Sequence, residues 1–551
     1  LPKTHFHFEN GFFLVKTLLE NLILNQNSFF LLHKKQLFAS ALLFMLGFLL
    51  LLPKLTLATS PKEQPSPLPT LEIPSRVKEQ SVRLFSFNGY RTVTETEKFL
   101  QEQATNYPQI AKLVEFGNSW ERLQHGITAG HTLKALRLTN KAIPGPKPVF
   151  TLLAAIHARE LPSSELATRF ISYLLTKYNS DPDVTWLLDE NEVVIVPLAN
   201  PDGRVLAEKG YSQRKNTNSS YGGYCNFPPT MSNQAGVDLN RNFSFEWGSV
   251  DGPTLSPCSE LFPGNAAASE PETQALQALL TSLYPKHPKP GQGAVAPADT
   301  SGIVISLHSY GNLILWPWGY TLKPSPNATE LAQIGKRLAQ FNGYQPAQAI
   351  QLYPTSGTVD DWTYAELGIP IYTFEIGPFA GVCSDFNPPF ACLDGESGGN
   401  FWAANLPAFL YAARIARAPY SQAQGPDLAI QKVAQVISDT SHLTLTLTFT
   451  NSQVISGAEV FVTRSDWLGN SSISLKPLQN SITSTSSILG WQATLPRSLD
   501  VYDVYGARKG GEVLILVHGY DSAGVWGPLR AVWLPPLQVS KLFLPLVQKN
   551  P

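Results

Sequence analysis

Apolar runs of five to eight residues alternate with longer amphipathic stretches from about Ser86 to Pro419. The runs Val149–Ile156, Val193–Ala199, Ile303–Leu307 and Ile369–Phe374 predict strands. The stretches Ser164–Tyr178, Glu272–Tyr284, Thr329–Phe341 and Asn405–Ala416 predict helices. The strands are apolar almost throughout, which is the signature of a sheet buried on both faces. Strand and helix in alternation predict an α/β domain over residues 86–420, a mixed central sheet with helices on both faces. After Pro419 the pattern changes. His442–Thr450 alternates leucine with threonine, and Val460–Thr463, Ile488–Leu495 and Val513–His518 read as further short strands. With no long helical pattern among them, residues 428–540 predict a separate all-β sandwich module.

The N-terminus departs from both patterns. Leu37–Leu52 is a 16-residue apolar run behind Lys34 and Lys35, followed by Thr56-Leu57-Ala58. That order predicts a secretory signal at about residues 34–58, and hence an exported protein without a stable membrane span once the signal is removed. A spanning helix needs roughly 20 residues, so an uncleaved anchor is the alternative. Residues 1–33 do not fit an n-region and read as the product of an upstream start, so 1–58 is taken together as extension and signal. Residues 59–85 are rich in Pro, Ser and Thr and read as a linker, and 541–551 as a short tail. The formal net charge of −1 argues against a nucleic-acid partner. Export permits disulfides. Cys225, Cys258, Cys383 and Cys392 allow three pairings, of which Cys225–Cys258 and Cys383–Cys392 are local in sequence; free buried thiols are the other possibility.

Polar groups collect where the apolar strands end. His157-Ala158-Arg159-Glu160 follows the first, Asn200-Pro201-Asp202-Gly203 the second, His308-Ser309-Tyr310 the third, and Glu375 closes the fourth. Open α/β sheets bind ligands outside the carboxyl ends of their strands. Glu375 lies in a strand that should be buried, and a buried carboxylate must be paired, metal-bound or protonated. His157, Glu160 and His308 would give two imidazoles and a carboxylate, the donor set of a catalytic zinc with one open position. Each alone has a plainer reading: a surface histidine, a helix-start glutamate, a hydrogen-bonded core histidine.

The motifs in chain order resemble the zinc metallocarboxypeptidases of the carboxypeptidase A/B type. His157 and Glu160 match that family's His-x-x-Glu, and His308-Ser309-Tyr310 its distant His-Ser-Tyr. Between and after them come Asn200–Gly203, Arg214-Lys215, Gly236–Asn242 (Gly-Val-Asp-Leu-Asn-Arg-Asn), Ser256–Glu260, Tyr353–Trp362 and Tyr372–Glu375. The resemblance covers roughly Gly89 to Ala418. It implies the metallocarboxypeptidase fold and one zinc ion per chain, held by His157, Glu160 and His308. It implies Glu375 as general base, Arg214 as oxyanion stabiliser, and Asn240, Arg241 and Tyr353 as the grip on a substrate's terminal carboxylate. Arg159 would touch substrate upstream of the scissile bond. Peptide and protein C-termini would be the partners; the oligomeric state is not legible.

Asp360 matches the position deep in the side-chain pocket that is apolar in A-type enzymes and Asp in B-type enzymes. The expected preference is therefore for C-terminal Lys or Arg, although Gly319, in the same pocket by motif spacing, is A-like. A broad or hydrophobic preference, or a peptidoglycan-peptide hydrolase on the same fold, is the alternative. Three departures stand out. Roughly thirty residues separate the signal from Gly89, too few for the folded pro-domain of pancreatic zymogens. Asn216–Gln234 is inserted before Gly236, and with Cys258 inside the matched Ser-Pro-Cys-Ser-Glu, Cys225–Cys258 is the favoured bridge. Gly381–Asn400 is an extra loop with its own cysteine pair. A serine hydrolase built on Gly395-Glu396-Ser397-Gly398-Gly399 and His518 is disfavoured, because no strand precedes the serine.

Overall fold

The computed structural model describes residues 89–250, 256–285, 287–395, 398–437, 442–451, 455–462, 472–477, 489–496 and 513–534. The signal, linker and tail readings at 1–58, 59–85 and 541–551, and the proposed serine Ser397, lie outside them. The described residues all belong to one compact unit. Its first sheet has eight strands: β1 (Ala111–Asn118), β2 (Thr132–Leu138), β3 (Val149–Ala154), β4 (Glu192–Val196), β5 (Ile303–His308), β6 (Leu313–Trp316), β7 (Gln345–Gln348) and β8 (Ile371–Glu375). Their spatial order is β1-β2-β4-β3-β5-β8-β6-β7. The centre is parallel, β4-β3-β5-β8, while β1 and β2 on one side and β6 on the other run antiparallel to their inner neighbours. The sheet is therefore mixed, as the strand pattern predicts.

Nine helices accompany it among the described residues before Pro419: α1 (Val93–Asn106), α2 (Trp120–His125), α3 (Leu161–Lys177), α4 (Pro182–Glu190), α5 (Pro201–Ala207), α6 (Pro271–Leu283), α7 (Ala328–Asn342), α8 (Val359–Leu367) and α9 (Phe401–Ile415). The strands β3 and β5 are buried at every position. Helices α3 and α9 pack on both of them, α6 on β1, α7 on β6 and β7, and α8 on β8. From β3 the chain crosses to β4 on one side, while β5 lies on the other. This reversal opens a crevice at the carboxyl ends of β3 and β5, the usual ligand position in open α/β sheets. The first helix opens on a capping box in which Thr92 accepts from Glu95 N and Glu95 accepts from Thr92 N; such a cap contributes about 1 kcal/mol.

The C-terminal residues form a seven-stranded antiparallel sheet. Its strands are β9 (Leu428–Ile437), β10 (His442–Asn451), β11 (Gly457–Phe461), β12 (Ile473–Pro477), β13 (Leu489–Pro496), β14 (Val513–Tyr520) and β15 (Arg530–Leu534), in the order β15-β14-β11-β12-β13-β10-β9. Its edge strands β9 and β15 lie against each other. Ile455, Val460, Ile515 and Val517 form a core of its own, whereas Phe461, Leu514, Leu516 and Ala531 belong to the main core. At that seam Ala531 N donates to Asp183 Oδ1 at 2.8 Å, and Arg414 pairs with Asp427 at 3.0 Å. The sheet thus completes the apolar interior of the α/β part.

One buried acid gives the fold a pH dependence. Glu272 is fully buried at the start of α6, where it accepts from Trp120 N at 2.7 Å and Asn216 Nδ2 at 3.2 Å. Burial pushes its carboxyl up to about 8. The unfolded chain releases that proton near pH 4.3. The stabilisation is therefore complete below about pH 4.3 and is lost as pH rises through about 8. Glu272→Gln should flatten the fall in melting temperature between about pH 4.3 and 8. An unchanged slope would assign the decline to other groups.

Candidate metal centre and active site

Strand β3 ends where Ala155 adopts a left-handed φ of 54°, an uncommon conformation for a residue with a Cβ. The sequence pattern runs the strand on to Ile156; the turn at Ala155 instead brings His157 to the crevice. Glu160 occupies the N-cap position of α3, which begins three residues before the apolar periodicity does because Pro162 fits the first helical turn. On β5, His308 is the last residue, and it is directly paired in register with Glu375, the last residue of β8.

The three expected ligands converge. His157 Nδ1 lies 2.7 Å from Glu160 Oε1 and 3.1 Å from His308 Nδ1, and His308 Nδ1 lies 3.1 Å from Glu160 Oε2. Ligand atoms around a tetrahedral metal with bonds of about 2.0–2.2 Å stand about 3.3 Å apart, so these spacings suit a small divalent ion. The far nitrogens are held from outside. Asp238 Oδ1 is 3.3 Å from His157 Nε2, close enough for an ion pair but without hydrogen-bond alignment, and Ser306 Oγ is 3.1 Å from His308 Nε2. Such outer contacts fix which nitrogen faces the metal. Burial, then Arg214, keeps His157 below its ordinary pKa and so neutral, as a ligand must be. Burial alone would raise Glu160, but the two imidazoles outweigh it and keep the carboxyl ionised; Glu160 in turn overcomes the effect of burial on His308 and holds its pKa above the ordinary value, so a metal there would displace that proton. Two imidazoles, one ionised carboxylate and a fixed ring orientation fit a zinc ion.

Asp238 has no assigned role in the sequence reading, although it sits inside the Gly236–Asn242 motif. It is fully buried, accepts from Arg214 Nε at 3.0 Å, and is held far below the ordinary carboxylate pKa because Arg214 and His157 overcome the effect of burial. It therefore ties the oxyanion candidate to the metal segment. The backbone does the same: Ala158 N donates to Arg214 O at 3.0 Å. A charged residue between buried Val237 and Leu239 was the signal available in the sequence.

Comparison with known proteins now bears on this geometry. Residues 96–395 match the family described as zinc carboxypeptidase. The chain belongs to the zinc carboxypeptidase family. Among curated relatives it is 31% identical over 313 residues to zinc carboxypeptidase A 1 of Anopheles gambiae, covering 55% of this chain and 64% of that one. It is 28% identical over 305 residues to carboxypeptidase A1 of Mus musculus, covering 54% and 64%. The chain thus spans slightly less than two thirds of the length of these relatives. The solved carboxypeptidase A from Helicoverpa armigera aligns with 60% of this chain and 74% of its own, at 27% identity and a TM-score of 0.47.

Other residues expected from the family motifs fall around the crevice. Arg241 donates to Asn240 O at 2.7 Å and to Tyr353 Oη at 3.3 Å, and Asn240 Oδ1 accepts from Val359 N at 2.8 Å. Tyr353 is 45% exposed, the most open member of this group and the one with room to move. Asp360 is buried at the start of α8; its Oδ2 accepts from Thr373 Oγ1 at 2.9 Å, and its Oδ1 has no partner. Asp361 beside it accepts from Gly319 N with both oxygens, at 2.9 and 3.0 Å. Arg159 is already engaged. Its guanidinium donates to Glu260 at 2.7 Å and lies 4.1 Å from the centre of the Phe386 ring. Neither partner is legible in the sequence. Both expected disulfides are present, Cys225–Cys258 and Cys383–Cys392. The first tethers the 216–234 insertion to the loop bearing Glu260, which Lys215 also holds through the carbonyls of Pro257 and Ser259, at 2.7 Å each. The second closes the loop that carries Phe386. His518 sits on β14 beside Glu459 and Trp526, within the β module.

Proposed function

We propose that this chain is a zinc-dependent carboxypeptidase that hydrolyses the C-terminal peptide bond of peptides and proteins, with a preference for Lys or Arg at the C-terminus. The observation that carries the reading is the convergence of His157, Glu160 and His308 beside Glu375, with Arg214 tied to the same segment through Asp238. A zinc ion held there supplies Lewis acidity to the scissile carbonyl and makes water easier to deprotonate. Glu375 accepts the proton of the attacking water at its carboxylate and delivers it to the leaving amine nitrogen. Arg214 faces the carbonyl oxygen as negative charge develops on it. Arg241, Asn240 and Tyr353 take the substrate's terminal carboxylate, which favours a free C-terminus over an internal bond and so disfavours an endopeptidase acting on peptidoglycan. Asp360 is the group for a basic terminal side chain. Two disulfides support the expectation of an oxidising compartment outside the cytosol. Among the described residues no helix is long and apolar enough to cross a membrane.

Metal analysis with a panel of peptides differing only in the last residue tests this reading. One zinc per chain is expected, with hydrolysis lost on chelation and restored by zinc. His308→Ala should remove the metal and lower activity by at least about 10²-fold, since one of three protein ligands is gone. Full activity without bound metal would refute the mechanism.

A further inference from the structure

A cavity of about 370 Å³ lies away from the ligand triad, between α5 and the 216–234 insertion. Val205 and Leu206 of α5 and Phe227 of the insertion supply apolar wall. The polar lining combines the carboxylate residues Glu121 and Asp202 and the amide of Gln213 with Thr217, Ser219 and Asn226, which can donate or accept. Gln213 is 2% exposed, and its Nε2 faces the carbonyls of Lys215, Asn216 and Ala235 at 3.1, 2.8 and 3.1 Å. With the amide nitrogen so committed, its Oε1 takes no hydrogen bond among the described residues. Asp202 is 4% exposed and accepts one bond at each oxygen, from Ser119 Oγ at 2.8 Å and Glu121 N at 2.9 Å, leaving lone pairs on both. Glu121 also lines the space, and its carboxylate lies 3.6 Å from His125. No lysine or arginine lines it, and its histidine, His131, is engaged by Glu97 at 3.1 Å.

Two carboxylates and an amide oxygen beside an apolar wall, with no lysine or arginine among them, call for a ligand with several donors and a hydrocarbon stem; the hydroxyls of Thr217 and Ser219 and the amide of Asn226 can accept from it as well. We propose that this cavity binds an organic cation, an alkylguanidinium or alkylammonium group on a short apolar stem. The source is either a free small molecule or a basic side chain upstream in a bound peptide. The cavity is one residue from the catalytic candidates, since Gln213 precedes Arg214 and Ser212 O lies 3.5 Å from Arg159. The Tyr211 ring meets Phe227 of the cavity wall edge-on, 6.0 Å between ring centres, so the wall adjoins the Ser212 segment that Arg159 contacts. The peptide source rests on the proposed activity; cation binding does not.

Calorimetry on the full chain with butylguanidinium as probe and butanol as control tests the site. Saturable binding of the cation alone is expected. Glu121→Gln should weaken it about tenfold by removing a charged acceptor, and Leu206→Trp should abolish it by filling the space. Asp360→Asn, which removes the charge of the side-chain pocket, should still show one saturable site for the cation, and that site belongs to this cavity. Binding that ignores Glu121→Gln, or that disappears with Asp360→Asn, overturns the proposal; the Glu121 variant decides the matter should Leu206→Trp not fold. A second arm uses peptides with the same last three residues and either Arg or norleucine four to eight residues upstream. A roughly tenfold lower KM with Arg, lost in Glu121→Gln, assigns the site to substrate. Equal KM values with butylguanidinium binding intact assign it to a free cation. Should no peptide be cleaved, the proposed activity fails while calorimetry still decides the cavity.

Discussion

Replacing Glu375 by Gln is expected to lower kcat by about 10²–10⁴-fold, the range for loss of a positioned general base. The substitution keeps the shape of the side chain and one acceptor oxygen, so metal content and peptide affinity should stay within about threefold of the parent. The expectation follows from where the strands end. His308 and Glu375 are register partners on β5 and β8, so the sheet itself fixes the proposed base beside the proposed metal ligand. Burial pushes the Glu375 carboxyl up to about 7, against the opposing charges of His308 and Arg214. A divalent ion at the triad would add positive charge nearby and shift it back down. As the proposed base, Glu375 would then be ionised at neutral pH, yet basic enough to hold a proton in transit. Parallel measurement of kcat, KM and zinc stoichiometry separates the cases. A kcat within tenfold of the parent, with metal retained, would remove Glu375 from the mechanism.

The parts of this site that the sequence made legible share a physical cause. β3, β5 and β8 are buried on both faces, so their apolar runs stand out, and a charged or imidazole group at the end of such a run must have a reason to be there. β1 escaped notice for the converse reason. It is half-exposed along most of its length, and Ala111–Asn118 carries Lys112 and Glu115 without clear alternation. The short helices α4 and α5 are too brief for periodicity to show, although Asp181 caps one and Asn200 the other. Asp238, Glu260 and Phe386 act on the site only through other side chains. Nothing local in the chain announces that Asp238 backs His157, because the two are brought together by the packing of 236–242 against the metal segment. The C-terminal strands were legible as β structure, but their shared core with the α/β part was not. Leu514 and Leu516 point into the main interior while Ile515 and Val517 serve the module's own, and alternation alone does not say what lies on either side.

The second large effect is a reversal of substrate preference. Peptides ending in Arg or Lys are expected to be cleaved faster than those ending in Phe, and Asp360→Ile should lower the Arg-to-Phe ratio of kcat/KM by about 10²–10³-fold, the cost of leaving a buried cation without its partner. Asp360 is 6% exposed, and one of its oxygens has no partner at all. Burial raises its pKa, with His308 pulling the other way. An unpaired carboxylate in that position is costly, so binding of a basic side chain, if Asp360 selects one, would recover what folding gave up. The competing account is that Asp360 is structural, held only to receive the Thr373 hydroxyl at 2.9 Å. Asp360→Asn discriminates between the two. Its amide oxygen still accepts from Thr373, so a structural role survives the change, whereas the charge that would select Arg is gone. Retention of the parent's Arg preference in Asp360→Asn would show that selectivity is set elsewhere in the pocket. Loss of that preference with an unchanged melting temperature would place it on this one carboxylate.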